Sequence, residues 1–188
     1  MHPRSMLFVD GENLTMRYQE TLAAGRKPRP SVVHLSDTYV WTQRVTHSPY
    51  ANLPNVVRVH YYTSVTGDHD KIEEARQTLS KLAFASPGTS GYHNAQLVPT
   101  VFKKPKKSQK TRNVDIQIVI DIMRASFTGA VDRIYLASGD GDYLPLISEV
   151  MRKGTQVELL AFASGLNSAL VPAVDRVHLL EDAFFEDE

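Results

Sequence analysis

Short apolar runs alternate with helical segments along this chain, and that alternation constrains its fold more than any other feature. Met6-Leu7-Phe8-Val9 is a continuous apolar run ending at Asp10 and reads as a buried strand. Val56-Val57-Arg58-Val59-His60-Tyr61-Tyr62 is β-branched and aromatic. Residues 95–102, Arg133-Ile134-Tyr135-Leu136-Ala137, Gln156-Val157-Glu158-Leu159-Leu160-Ala161-Phe162 and a final run at Val177-His178-Leu179-Leu180 read as further strands. Between them, residues 13–24, 70–85, 114–127 and 143–152 read as helices, and residues 31–45 lean towards helix. Asp68-His69-Asp70 reads as a capping loop for the helix that follows it, and Pro87-Gly88 as its end. Strands alternating with helices predict an α/β fold, a Rossmann-like three-layer α/β/α sandwich around a mostly parallel sheet.

At 188 residues the chain matches one domain, 1–188, with a basic loop at 103–112 and an acidic tail at 181–188. No apolar run approaches the length of a membrane span, and the apolar residues before Asp10 are too few for a secretory signal. A cytoplasmic protein is expected. Cysteine is absent, which excludes disulfides, thiol catalysis and zinc–thiolate sites. The net charge of zero conceals an asymmetry. Lys103, Lys104, Lys106, Lys107, Lys110 and Arg112 fall in one stretch without an acid, and the rest of the chain holds 15 basic against 21 acidic residues, a net of −6. Such a segment is either a phosphate-backbone contact or a solvated linker. The tail, with Glu181, Asp182, Glu186, Asp187 and Glu188, reads as a solvated terminus.

In open parallel sheets, ligands bind outside the carboxyl ends of the strands. Two strands end in acids there: one runs Phe8-Val9-Asp10-Gly11-Glu12-Asn13, the other Leu136-Ala137-Ser138-Gly139-Asp140-Gly141-Asp142-Tyr143. Glycines 11, 139 and 141 are expected to supply sharp turns at positive φ. At about 100° per residue, Asp115 falls on the side of Ile118, Val119 and Ile122, so it is either a helix cap or an inward-facing acid; Asn113 is the alternative cap. Gln117, Asp121 and Arg124 fall opposite, and Asp121 is expected to face solvent, paired with Arg124. Gathered together, Asp10, Asp115, Asp140 and Asp142 would repel one another unless a cation or protons intervened. An all-oxygen donor set suits Mg²⁺ or Mn²⁺, and such an ion activates water for attack on a phosphodiester. Asn13 could orient a metal-bound water, and Ser138 could cap the turn at 139–142 or touch a phosphate.

Three segments in order, Phe8-Val9-Asp10-Gly11-Glu12-Asn13-Leu14, Lys110-Thr111-Arg112-Asn113-Val114-Asp115 and Ser138-Gly139-Asp140-Gly141-Asp142-Tyr143-Leu144-Pro145-Leu146-Ile147, resemble NYN domains, in particular the LabA-like branch, within the PIN-like nuclease superfamily. The resemblance spans about residues 6–164. It implies a metal-dependent ribonuclease with Asp10, Asp115, Asp140 and Asp142 as catalytic and metal-holding acids, Asn13 and Ser138 in support, and RNA as partner. Gly141 and Tyr143 stand where many members carry Ser and Phe. Self-association into a homo-oligomer stays open. A non-catalytic or weakly active RNA-binding regulatory module is the alternative, with a DNA or nucleotide phosphohydrolase behind it. A dinucleotide fold is disfavoured because Gly139-Asp140-Gly141 lacks the third glycine, and no P-loop or G-x-S-x-G elbow is present. A toprim-type site would need Glu where Asp10 stands, and a D-x-D phosphatase is disfavoured by Glu12. Tyr39, Trp41 and Tyr50 have faces on which bases stack, but packing is the commoner role for such residues.

Overall fold

The computed structural model describes residues 4–47, 53, 55–88, 91–104 and 112–187. The chain runs β1 (Ser5–Asp10), α1 (Gly11–Ala23), β2 (Val33–Leu35), β3 (Tyr39–Trp41), β4 (Val56–Val65), α2 (His69–Leu79), β5 (Ala83–Gly88), β6 (Gly91–Gln96), β7 (Val98–Lys103), α3 (Arg112–Phe127), β8 (Arg133–Ala137), α4 (Leu144–Arg152), β9 (Gln156–Ala161), β10 (Arg176–Leu179) and α5 (Glu181–Phe184). Six strands form one sheet in the order β10-β9-β8-β1-β4-β7, with all neighbours parallel.

The inner strands of this sheet bury apolar side chains on both faces, as parallel strands covered by helices must. Leu7, Val9, Tyr61, Tyr135 and Leu160 point to one face, where Leu14 and Tyr18 of α1 and Ala75 and Leu79 of α2 cover them. Phe8, Tyr62, Leu136 and Leu159 point to the other, against Val114, Ile118 and Ile122 of α3 and Leu146, Ile147 and Val150 of α4. The result is the expected three-layer α/β/α sandwich. Strand order reverses between β1 and β8: the chain builds outward through β4 and β7, then restarts at β8 and builds the other way. That reversal opens a crevice at the carboxyl ends of β1 and β8.

Several local readings need correcting. Residues 31–45 are not helical. They form the β2–β3 hairpin and a 3₁₀ turn at Gln43–Val45, with Tyr39, Val40 and Trp41 buried. Asp37 sits in the hairpin turn at φ 55. Helix α2 stops at Leu79, and the segment read as its end pairs instead as β5 with β6. The strand read at 95–102 breaks at Leu97 into the ends of β6 and β7, and Pro99 is accommodated because β7 is an edge strand. Positive φ is found at Gly25, Gly67, Gly91, Gly129 and Gly154, not at glycines 11, 139 and 141. Gly11 and Gly139 are required for close approach: a Cβ at Gly11 would lie 2.6 Å from the Tyr62 carbonyl oxygen, and one at Gly139 would lie 2.2 Å from that of Gly165, whereas one at Gly141 would meet only the Asn167 side chain. The tail is not a solvated terminus either. Phe184 and Phe185 are fully buried, Phe185 bridges Pro28, and Arg29 pairs with Asp187 at 2.7 Å.

Candidate functional site

Asp10 ends β1 and caps α1, accepting a hydrogen bond at Oδ1 from the Asn13 amide at 3.1 Å. Its Oδ2 accepts from the Ser138 hydroxyl at 3.0 Å. Ser138 Oγ in turn accepts from the Asp140 amide at 3.2 Å, and the Gly139 amide donates to Asn13 Oδ1 at 3.3 Å. The ends of β1 and β8 are thus laced together by the two residues expected to support the acids. Asp140 caps the 3₁₀ turn Gly141–Tyr143 by accepting from the Asp142 amide at 3.0 Å. That turn brings the Tyr143 hydroxyl to Asp10 Oδ2 at 3.4 Å and to Asp115 Oδ1 at 3.3 Å. Asp115 therefore faces inward from the first turn of α3.

Asp10, Asp115 and Asp140 line one cavity of about 780 Å³, together with Asn13, Glu12, Arg17 and Lys104. Asp142 is exposed and is not part of the lining. Of the basic residues, Lys104 lines the cavity, while Lys103 and Arg112 are exposed outside it. Lys106, Lys107 and Lys110 lie outside the described residues, as does Tyr50. Tyr39 and Trp41 are buried core residues.

The electrostatics follow from burial. Asp10 is 3 % exposed, and desolvation lifts its pKa to about 7. The Asn13 and Ser138 hydrogen bonds oppose this rise, and the charges of Asp115 and Glu12 add to it. Burial, followed by the charges of Asp10, Asp115 and Asp140, pushes the Tyr143 phenol far up, so it stays a proton donor. A divalent cation fits this donor set in kind: buried oxygen acids carry excess negative charge, and Mg²⁺ or Mn²⁺ needs only one or two carboxylates with waters. Among the described residues, however, no three His, Cys, Asp or Glu side chains form a group that could hold a metal ion.

Three features were missed from the sequence. Glu12 lines the cavity, accepts from the Ser64 hydroxyl and pairs with Lys104 at 3.4 Å. The Tyr143 hydroxyl links two of the acids, a role signalled only by its place three residues after Asp140. Asp121 pairs with Arg124 at 2.8 Å as expected, but it does not face solvent: it also accepts from the Tyr62 hydroxyl at 2.9 Å, and its side chain is 19 % exposed. Helix α3 packs close enough to β4 for the Tyr62 phenol to reach it.

No curated protein matches the chain. The crystal structure of a Vibrio parahaemolyticus protein of unknown function is similar in fold, with a TM-score of 0.62 at 17% sequence identity, covering 98% of this chain and 96% of that one. A sequence model of the NYN domain, a nuclease-like family, matches residues 4–181, without specifying a branch. That match takes in both strand ends, the start of α3 and the turn after β8, and so every element that lines the acidic cavity: the chain belongs to the NYN domain family.

Proposed function

We propose that this NYN domain is a metal-dependent ribonuclease acting in the cytoplasm, an endoribonuclease that hydrolyses RNA phosphodiester bonds at the crevice between β1 and β8. The observation that carries the reading is the convergence of Asp10, Asp115 and Asp140, from three separate elements, on one cavity at the point where strand order reverses. Asp10, Asp115 and Asp140 would hold Mg²⁺ or Mn²⁺, with Asp142 contributing from the rim. Such an ion supplies Lewis-acid polarisation of a phosphoryl oxygen and a water of lowered pKa. Asn13 and Ser138 keep the two strand ends in register, so the acids present a fixed set of oxygens. Lys104 in the cavity wall, with Lys103, Lys106, Lys107, Lys110 and Arg112 along the basic segment, offers cations to the nucleic-acid backbone.

The test is cleavage of labelled RNA and DNA by wild type and Asp140→Asn, with Mn²⁺, with Mg²⁺ and with chelator. Metal-dependent RNA cutting by the wild type, reduced at least about a hundredfold in the variant, is the expected result, since loss of a group that stabilises transition-state charge commonly costs that much. Cleavage that persists in Asp140→Asn or in chelator overturns the reading. A second reading, an RNA-binding regulatory module without cleavage, is favoured by the lack of a three-carboxylate metal group among the described residues. No cutting, with RNA affinity that falls as salt rises, would select it.

A further inference from the structure

The Tyr143 hydroxyl lies between two carboxylates, 3.4 Å from Asp10 Oδ2 and 3.3 Å from Asp115 Oδ1. Its single proton is shared between two acceptors at the long end of hydrogen-bonding range. The ring is 2 % exposed and belongs to the core beneath α3 and α4. Its backbone is part of the turn capped by Asp140, so the packed ring sets where the hydroxyl sits. A neutral phenol offers two facing acids a dipole where a cation would offer full charge. With it in place, Asp10 and Asp115 are joined through an O–H group.

We propose that the Tyr143 hydroxyl is a built-in stand-in for the cation: it holds Asp10 and Asp115 together when no metal is bound, and a divalent ion must displace its hydrogen bonds to bind. Tyr143 is thus a positioning residue that lowers metal affinity. This rests on the metal-dependent reading of the cavity. The opposite role can be told apart by sign. A hydroxyl that stays bonded to a ligating carboxylate supports the metal, and losing such a partner typically weakens binding 10–100-fold. A stand-in that must be displaced makes binding tighter when it is removed.

The experiment is a Mn²⁺ titration of the full chain at about pH 8, wild type beside Tyr143→Phe, with melting temperatures in chelator and in saturating Mn²⁺. Phenylalanine keeps the buried ring and removes only the hydroxyl. The variant is expected to bind Mn²⁺ about tenfold more tightly, the scale of one displaced charge-assisted hydrogen bond. It is expected to melt below wild type in chelator, and the deficit should close in Mn²⁺. Binding by the variant alone gives the same answer. Equal or weaker binding by the variant, an equal melting deficit in both conditions, or no Mn²⁺ binding by either protein overturns the proposal. The ribonuclease reading fails on a separate readout: RNA left uncut by Mn²⁺-loaded protein would sink it, while the two Mn²⁺ affinities would still decide the role of Tyr143.

Discussion

Asp10 serves α1 and the cavity at once, and the two roles pull its protonation in opposite directions. As a cap it accepts from the Asn13 amide, which favours the carboxylate; as a buried acid near Asp115 it is driven towards the neutral form, and burial prevails. Its folded pKa of about 7 stands well above the ordinary 3.8. Between roughly pH 4 and pH 7 the folded chain therefore keeps a proton that the unfolded chain has released, and this residue's contribution to stability falls as pH rises through that window. The full effect is on the order of 4 kcal/mol, at about 1.4 kcal/mol per pKa unit. Asparagine at this position keeps a capping oxygen and cannot ionise. In chelator, Asp10→Asn should melt with wild type near pH 4 and well above it near pH 8; in Mn²⁺, where wild type is expected to cut RNA, the variant should not. A melting difference independent of pH would show that Asp10 is not held protonated. At this scale the candidate site was largely legible, because acids ending central strands must share one edge of a parallel sheet. Tyr143 and Glu12 were not, because their partners, Asp115 for one and Ser64 and Lys104 for the other, are set by tertiary packing.

Strands β1 and β8 were legible as elements because each holds a continuous apolar run, the pattern that suits a strand buried on both faces, and β4 because it is rich in β-branched and aromatic residues. The β2–β3 hairpin was not, because what fixes it lies 21 residues away in sequence. The Tyr61 hydroxyl donates to the Val40 carbonyl at 3.0 Å and accepts from the Val40 amide at 3.1 Å, closing both backbone groups of a buried residue. Nothing within residues 31–45 announces that clamp. The overlong α2 has a related cause: Ala83 and Phe84 suit a helix as well as a strand, and pairing with β6 decides between them. Tyr61→Phe should cost about 2–3 kcal/mol, since it strands a buried donor and a buried acceptor together. Hydrogen exchange at the Val40 amide should accelerate more than at Leu7 or Val9 in the central strand. A uniform acceleration would mean that Tyr61 supports the whole core and not the hairpin.

Across the whole molecule, charge is divided in a way the net value conceals. The body carries a net of −6 and one short segment carries the compensating cations. Among the described residues the acidic tail contacts the body of the domain: Asp187 pairs with Arg29, Glu181 accepts from the Ala163 amide, and Phe184 and Phe185 anchor the end of the chain in the core beside Tyr18. The basic segment begins at the end of β7, where Lys104 reaches the cavity wall, and ends at Arg112, three residues before Asp115. Both of its ends therefore adjoin the acids. A nucleic-acid backbone held along it would be brought to the cavity against the repulsion of an otherwise acidic surface. Each phosphate neutralised contributes about 0.7 to the salt slope of single-strand binding. In an Asp140→Asn background, replacing Lys106, Lys107 and Lys110 by Gln should reduce the slope of log affinity against log salt by about 2, and should weaken binding to all RNA sequences alike. Fluorescence anisotropy with two unrelated labelled oligonucleotides, from about 50 to about 200 mM salt, reads both quantities. An unchanged slope would remove these lysines from the interface and leave Lys104 and Arg17, already in the cavity wall, as the cations that meet the phosphates. A loss confined to one oligonucleotide would instead assign the segment to base readout, which lysines spaced along a backbone are poorly shaped to perform.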